Sequence, residues 1–190
     1  MNGYKRIQLI IERALNLSAN TGDKIITYGD GNLYPQDIAN LIYASKTASA
    51  AVEKMTENII CEGFENESFR TLTNGNGLNM DDILENTAND VARFKGWAWI
   101  VQYGLREGGY VPINVYNVPF EYVRAEKSDN YLKDPTVRNW RVFNNWDRQT
   151  VKATNVLQNS TVYPTFNPDN IVNEINDCGG IENHTGQLLS

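Results

Sequence analysis

Ile38, Leu41, Ser45, Ala48, Val52, Met55 and Ile59 recur at alternating intervals of three and four, the spacing that lines side chains along one face of an α-helix. The pattern predicts one long helix over about 35–61. Its ends are apolar and its middle is small: Ala44, Ser45, Ala48, Ser49, Ala50 and Ala51 would let another backbone approach closely there. Pro35 suits a first helical turn, where the N–H it lacks would have no acceptor anyway, and Gly63 suits the stop, because left-handed backbone is cheapest for glycine. Ahead of the helix, Gly29-Asp30-Gly31-Asn32 reads as a turn.

The flanking pattern is weaker but readable. Ile7, Ile10, Ile11, Ala14 and Leu15 fall on one face of a short amphipathic helix within residues 4–17, and Lys24–Tyr28 reads as a short strand. After a polar loop over 65–78, Asn79 is a good N-cap, with Asp81 and Asp82 in the first turn where the helix dipole favours them. That helix is expected to run to about Lys95, with Ile83, Leu84, Ala88, Val91 and Phe94 inward and Gly96 as its stop. The period then changes to two. Trp97–Tyr103 and Tyr110–Val118 read as strands around a Gly108-Gly109 turn, and Pro112 marks an edge position or a bulge. Pro119–Arg124 forms a third strand or its approach, Trp140–Asn144 a fourth, and Asn170–Asp177 a short helix. Helices first and strands second predict an α+β fold with a mainly antiparallel sheet or a small β-barrel. Residues 1–150 form the main region and 151–190 an Asn- and Pro-rich extension, in which Leu188-Leu189 reads as the start of a further element.

Composition narrows the function. The chain has 190 residues, 41% hydrophobic and 21% charged, so it can bury a core. Its net charge of −6 gives no electrostatic footprint for gripping phosphates. Cys61 and Cys178 lack metal-binding spacing and read as free thiols of a reducing compartment. Glu12 and Arg13 interrupt the N-terminal apolar run, so no signal peptide is expected, and no apolar run approaches the ~20 residues of a membrane span. His184 is the lone histidine, and Asp81 and Asp82 are explained by the helix start. The loops Gly29–Asn32 and Asn74–Gly77 lack the calcium-loop pattern. The expectation is a protein that is not an enzyme, with no cofactor and no metal. The aromatics Trp97, Trp99, Tyr103, Tyr110, Tyr116, Phe120, Tyr122, Trp140, Phe143 and Trp146 gather in the β region. They could serve as a stacking platform, as core, or as an interface between subunits.

A family resemblance then enters, carried by residues in a fixed order. A DGN-x-[aromatic]-P turn at Asp30–Pro35 is followed by the helix LIYASKTASAAVEKMTENIICEGF. A polar loop and second helix come next, whose exit KGWAWIVQYG leads through a hairpin to VPINVYNVPFEYVR. Over roughly 28–150 this resembles the N-terminal, wing part of a tailed-bacteriophage portal protein, similar to portals of crAss-like and other Bacteroides phages and prophages. The family's "[YF]-x-G-[FYW]-[AS]" strand entry is matched at Phe94–Ala98, and its "[IV]-x-x-[VI]-x-[FP]-x-x-[IV]-R" strand within Ile113–Arg124.

The resemblance implies a structural, ring-forming subunit of a twelve-membered capsid-vertex connector. Double-stranded DNA passes through such a ring without sequence-specific binding. Terminase, neck or adaptor and capsid proteins are the implied partners, with no membrane. The implied location is the virion, and the host cytoplasm during assembly. Complete portals are longer, with stem, clip and crown parts that do not fit after Thr150, so no DNA-contacting residue is carried over. The candidate subunit interface is Ser45, Ala48 and Val52 on the long helix with Trp97 and Trp99 at the strand entry. The alternative is a β-rich ligand- or carbohydrate-binding module that uses the Trp/Tyr cluster.

Overall fold

The computed structural model describes residues 25–28, 32–127, 139–144, 146 and 159–190. The expected helix within 4–17 and most of the Gly29–Asn32 turn lie outside the described residues. Among those residues the elements are α1 (Tyr34–Ala44), α2 (Lys46–Ile60), α3 (Glu67–Arg70), α4 (Met80–Phe94), β1 (Trp99–Arg106), β2 (Gly109–Asn117), β3 (Val123–Ala125), β4 (Asn139–Val142), β5 (Thr161–Pro164), α5 (Ile171–Asp177) and β6 (Gln187–Leu189). The fold is α+β, with two small three-stranded sheets, β2-β1-β6 and β3-β4-β5. Neither sheet closes into a barrel.

The single helix expected over 35–61 is two helices. Ser45 takes extended backbone, φ −122 and ψ 112, and ends α1. Its hydroxyl oxygen then accepts the amide of Ala48 at 3.3 Å, which caps α2, while the Ser49 hydroxyl donates back to the Ile42 carbonyl at 2.9 Å. Side-chain oxygens thus satisfy groups at both helix ends, and the break costs little. At its far end α2 closes through Cys61, at φ 50, and Gly63, at φ 74.

The chain divides into two compact units. One takes the described residues up to Lys54 with those of Phe120–Val162; the other takes Met55–Pro119 with Tyr163–Ser190. In the first, β3 pairs antiparallel with β4, Val123 opposite Val142. Ile25 bridges to Glu126, and Gln36 of α1 donates to the Glu121 carbonyl at 3.1 Å. Buried Ile25 and Trp146, with Phe143 against them, make a small apolar cluster.

In the second unit α4 starts from a capping box. The Asn79 side chain accepts the Asp82 amide at 2.9 Å and the Asp82 carboxylate accepts the Asn79 amide at 2.9 Å. The helix buries Met80, Ile83, Ala88 and Phe94 and ends on Lys95, whose φ of 61 is left-handed; Gly96 is not the turning residue. β1 and β2 form the expected hairpin. Opposite Gln102 and Tyr103 the register passes from Asn114 to Pro112, leaving Ile113 as a bulge. Pro112 therefore sits on an edge strand beside a bulge, where its missing N–H disrupts no ladder. Leu188 and Leu189 belong to β6, the third strand, paired antiparallel to Ile100 and Trp99. Ile171 and Ile175 of α5 pack with Val101 and Tyr103 in the core of this unit.

Candidate functional site

The residues singled out as an interface occupy two places. Ser45, Ala48 and Val52 are half-buried, at the helix break and along α2. Helix α2 buries no residue at all over its 15 positions, although Val52, Met55 and Ile59 continue the apolar seam. Met55 is 39% and Ile59 42% exposed, whereas helices of this length in a folded chain normally cover such a stripe. Trp97 and Trp99 belong to the other unit. Their rings meet edge-on at 5.2 Å, and the Trp99 indole donates to the Thr87 hydroxyl at 2.7 Å, fixing Trp99 to α4.

Two polar clusters were not anticipated as contacts. The first joins two motifs of the sequence, Asn32 and Arg124. The Arg124 side chain is fully buried. Its Nε donates to Asn32 Oδ1 at 2.6 Å, Nη2 to the Asn32 carbonyl at 2.9 Å, and Nη1 to the carbonyls of Glu121 at 2.9 Å and Val123 at 2.8 Å. Its carbon centre lies 4.5 Å from the Tyr28 ring and 4.9 Å from the Trp146 ring, so the charge sits between aromatic faces. Burial pushes the Arg124 pKa down to about 10, and Tyr28 and Glu121 act in the opposite direction. Burial also pushes the Tyr28 hydroxyl up, partly offset by Arg124. With four hydrogen bonds to neutral acceptors, the guanidinium braces the segment carrying Asn32 against β3. It is not open to a ligand.

The second cluster surrounds Gln187, which is fully buried on β6. Its Oε1 accepts the Tyr103 hydroxyl and the Asn167 amide, both at 3.0 Å. Its Nε2 donates to the Asn167 carbonyl and to Glu174 Oε2, both at 2.9 Å. His184 Nε2 lies 3.5 Å from the same carboxylate oxygen, and its Nδ1 is buried without a partner. Burial first, and Glu174 second, push the Tyr103 hydroxyl up. The amide is saturated, which makes this a polar clasp holding β6 and α5 on β1.

No protein-family model matches the chain, and neither a curated protein nor a solved structure matches it. The local geometry is therefore what bears on function. Among the described residues no group of three or more His, Cys, Asp or Glu side chains is placed to hold a metal ion. No helix among them is long and apolar enough to cross a membrane. Cys61 and Cys178 are free and exposed. The β-region aromatics turn inward: Tyr103 and Trp146 are buried, and Trp97, Trp99, Tyr110, Tyr116, Phe120, Tyr122, Trp140 and Phe143 are half-buried. Among the described residues the aromatics left most open are Tyr43 and Phe69, outside that region.

Proposed function

We propose that the chain is a structural subunit of a tailed-phage portal, a ring at the capsid vertex through which double-stranded DNA is packaged and ejected. The observation that carries the reading is α2: 15 residues with none buried, presenting Val52, Met55 and Ile59 on one seam. A second copy of the chain is the partner that a repeating ring supplies, and covering that stripe removes apolar area from water. The sequence resemblance gives the ring its identity, and the Asn32–Arg124 brace supports it by tying two of the motifs that carry the resemblance together. The acidic balance suits a conduit, since like-signed walls hold passing DNA weakly. Terminase, neck and capsid proteins are the proposed docking partners, and the virion the proposed location. The binding-module alternative draws less support, because the described aromatics of the β region are half-buried or buried on their own chain.

Negative-stain imaging of the purified chain tests the proposal. Rings of about a dozen copies are expected. A homogeneous field of particles without rotational symmetry, together with retention on a glycan array, would replace it by the binding module.

A further inference from the structure

The loop Asn74-Gly75-Asn76-Gly77 holds two Asn–Gly bonds, the linkage most prone to spontaneous cyclisation because glycine leaves the attacking backbone nitrogen unshielded. A third, Asn2-Gly3, lies outside the described residues. The two described bonds are treated very differently by the fold. Asn74 is pinned: its Oδ1 accepts the amides of Asn76 at 2.9 Å and Leu78 at 3.1 Å, and its Nδ2 donates to the Val115 carbonyl of the edge strand β2 at 3.0 Å. Tyr116 closes over the next residue, so near that a Cβ on Gly75 would lie 2.5 Å from the Tyr116 hydroxyl oxygen. Asn76 is exposed, and a Cβ on Gly77 would meet nothing within 4 Å. The attacking nitrogen makes one turn bond, from the Gly77 amide to the Asn74 carbonyl at 3.0 Å, and the Asn74 amide closes the same turn onto the Leu78 carbonyl at 2.9 Å.

We infer that Asn76 is a site of self-modification in the folded protein, and that the fold protects its neighbour Asn74 from the same chemistry. The Gly77 backbone nitrogen, losing its proton to water, attacks Cγ of Asn76. A C–N bond forms, the side-chain nitrogen leaves as ammonia, and a five-membered succinimide results. Water then opens either carbonyl, giving aspartate or isoaspartate, and no oxidant or reductant takes part. At Asn76 the product adds a negative charge to an open turn. At Asn74 the same step would turn the donor facing the Val115 carbonyl into an acceptor and uncover the edge of β2.

The test is peptide mapping by mass spectrometry after incubating the intact folded protein at neutral pH and 37 °C, beside the same chain in denaturant. Asn76 is expected to convert in the folded protein at least tenfold faster than Asn74, while in denaturant the two convert at similar rates. Asn76→Gln should remove the folded-state product and leave Asn74 unchanged. Conversion of Asn74 as fast as Asn76 in the folded protein would overturn the inference, as would an inert Asn76 over a period in which the denatured chain reacts fully.

Discussion

Replacing Arg124 by lysine should open the first unit. Lysine keeps the charge and the cost of burying it, but offers one compact ammonium to four acceptors arranged for a planar fork. A hydrogen bond from a charged donor is worth about 1.5–3 kcal/mol, and a desolvated cation–π contact about 2 kcal/mol, so the native brace is worth on the order of 10 kcal/mol gross. Burying the guanidinium costs several kcal/mol of that, and breaking such a buried network typically costs about 3–5 kcal/mol net. Amide hydrogen exchange gives a local readout. The Ile26 amide is bonded to the Ala125 carbonyl at 2.8 Å, next to Arg124, so its protection reports opening of this unit. Arg124→Lys should speed that exchange by roughly a hundredfold or more, at about 1.4 kcal/mol per decade. The capping-box amide of Asp82, in the other unit, is the internal control. If Ile26 in the lysine variant exchanges within about threefold of the parent rate, worth less than ~1 kcal/mol, the fork is not what holds Asn32 to β3.

Two further outcomes follow from the same geometry. Lys95 ends α4 in left-handed backbone, φ 61, a conformation costing a non-glycine residue on the order of 1 kcal/mol, so Lys95→Gly should raise stability by about that amount in urea denaturation. A lowered midpoint would mean that the lysine side chain contributes more than its backbone costs. Burial raises the hydroxyl pKa of Tyr28, Tyr103 and Tyr163, so in the unfolded chain these groups deprotonate first. Their contribution to stability is intact below pH 10 and declines as pH climbs beyond it; the lowered Arg124 acts oppositely above about pH 10, where the unfolded chain holds the extra proton. Tyrosinate absorbance of the folded protein should therefore show a late-titrating fraction that vanishes in denaturant, and a single transition in both would refute the assignment.

What could be read in the sequence was what depends on neighbours along the chain. Asn79 with Asp81 and Asp82 declares a helix start through residues three apart, and the hairpin announces itself through its change of period and the Gly108-Gly109 turn. Pro112 pointed to an edge or a bulge and sits at both. The break at Ser45 escaped because the three-and-four rhythm passes through it undisturbed. The signal was Ser45 itself, a good N-cap placed before Ala48, which periodicity does not weigh. Leu188 escaped for a different reason: its partner Ile100 is remote in sequence, and a strand of three residues has no period to detect. Gln187 escaped likewise, since its partners Tyr103, Asn167 and Glu174 come from three separate segments. Asn32 and Arg124 were both legible as motif residues, but nothing local says that they touch.

The central claim is that the seam on α2 is an interface between copies of the chain. Its most direct test is the solution mass by light scattering, measured for the parent and for a Val52→Asp, Met55→Asp double variant. Neither position is buried in the single chain, Val52 being half-buried and Met55 exposed, so the substitutions should leave its fold intact. The account predicts a large, ring-sized assembly for the parent and collapse of the variant to the 21.5 kDa single chain. A parent that stays at 21.5 kDa at every concentration, or a variant that assembles as well as the parent, would contradict it.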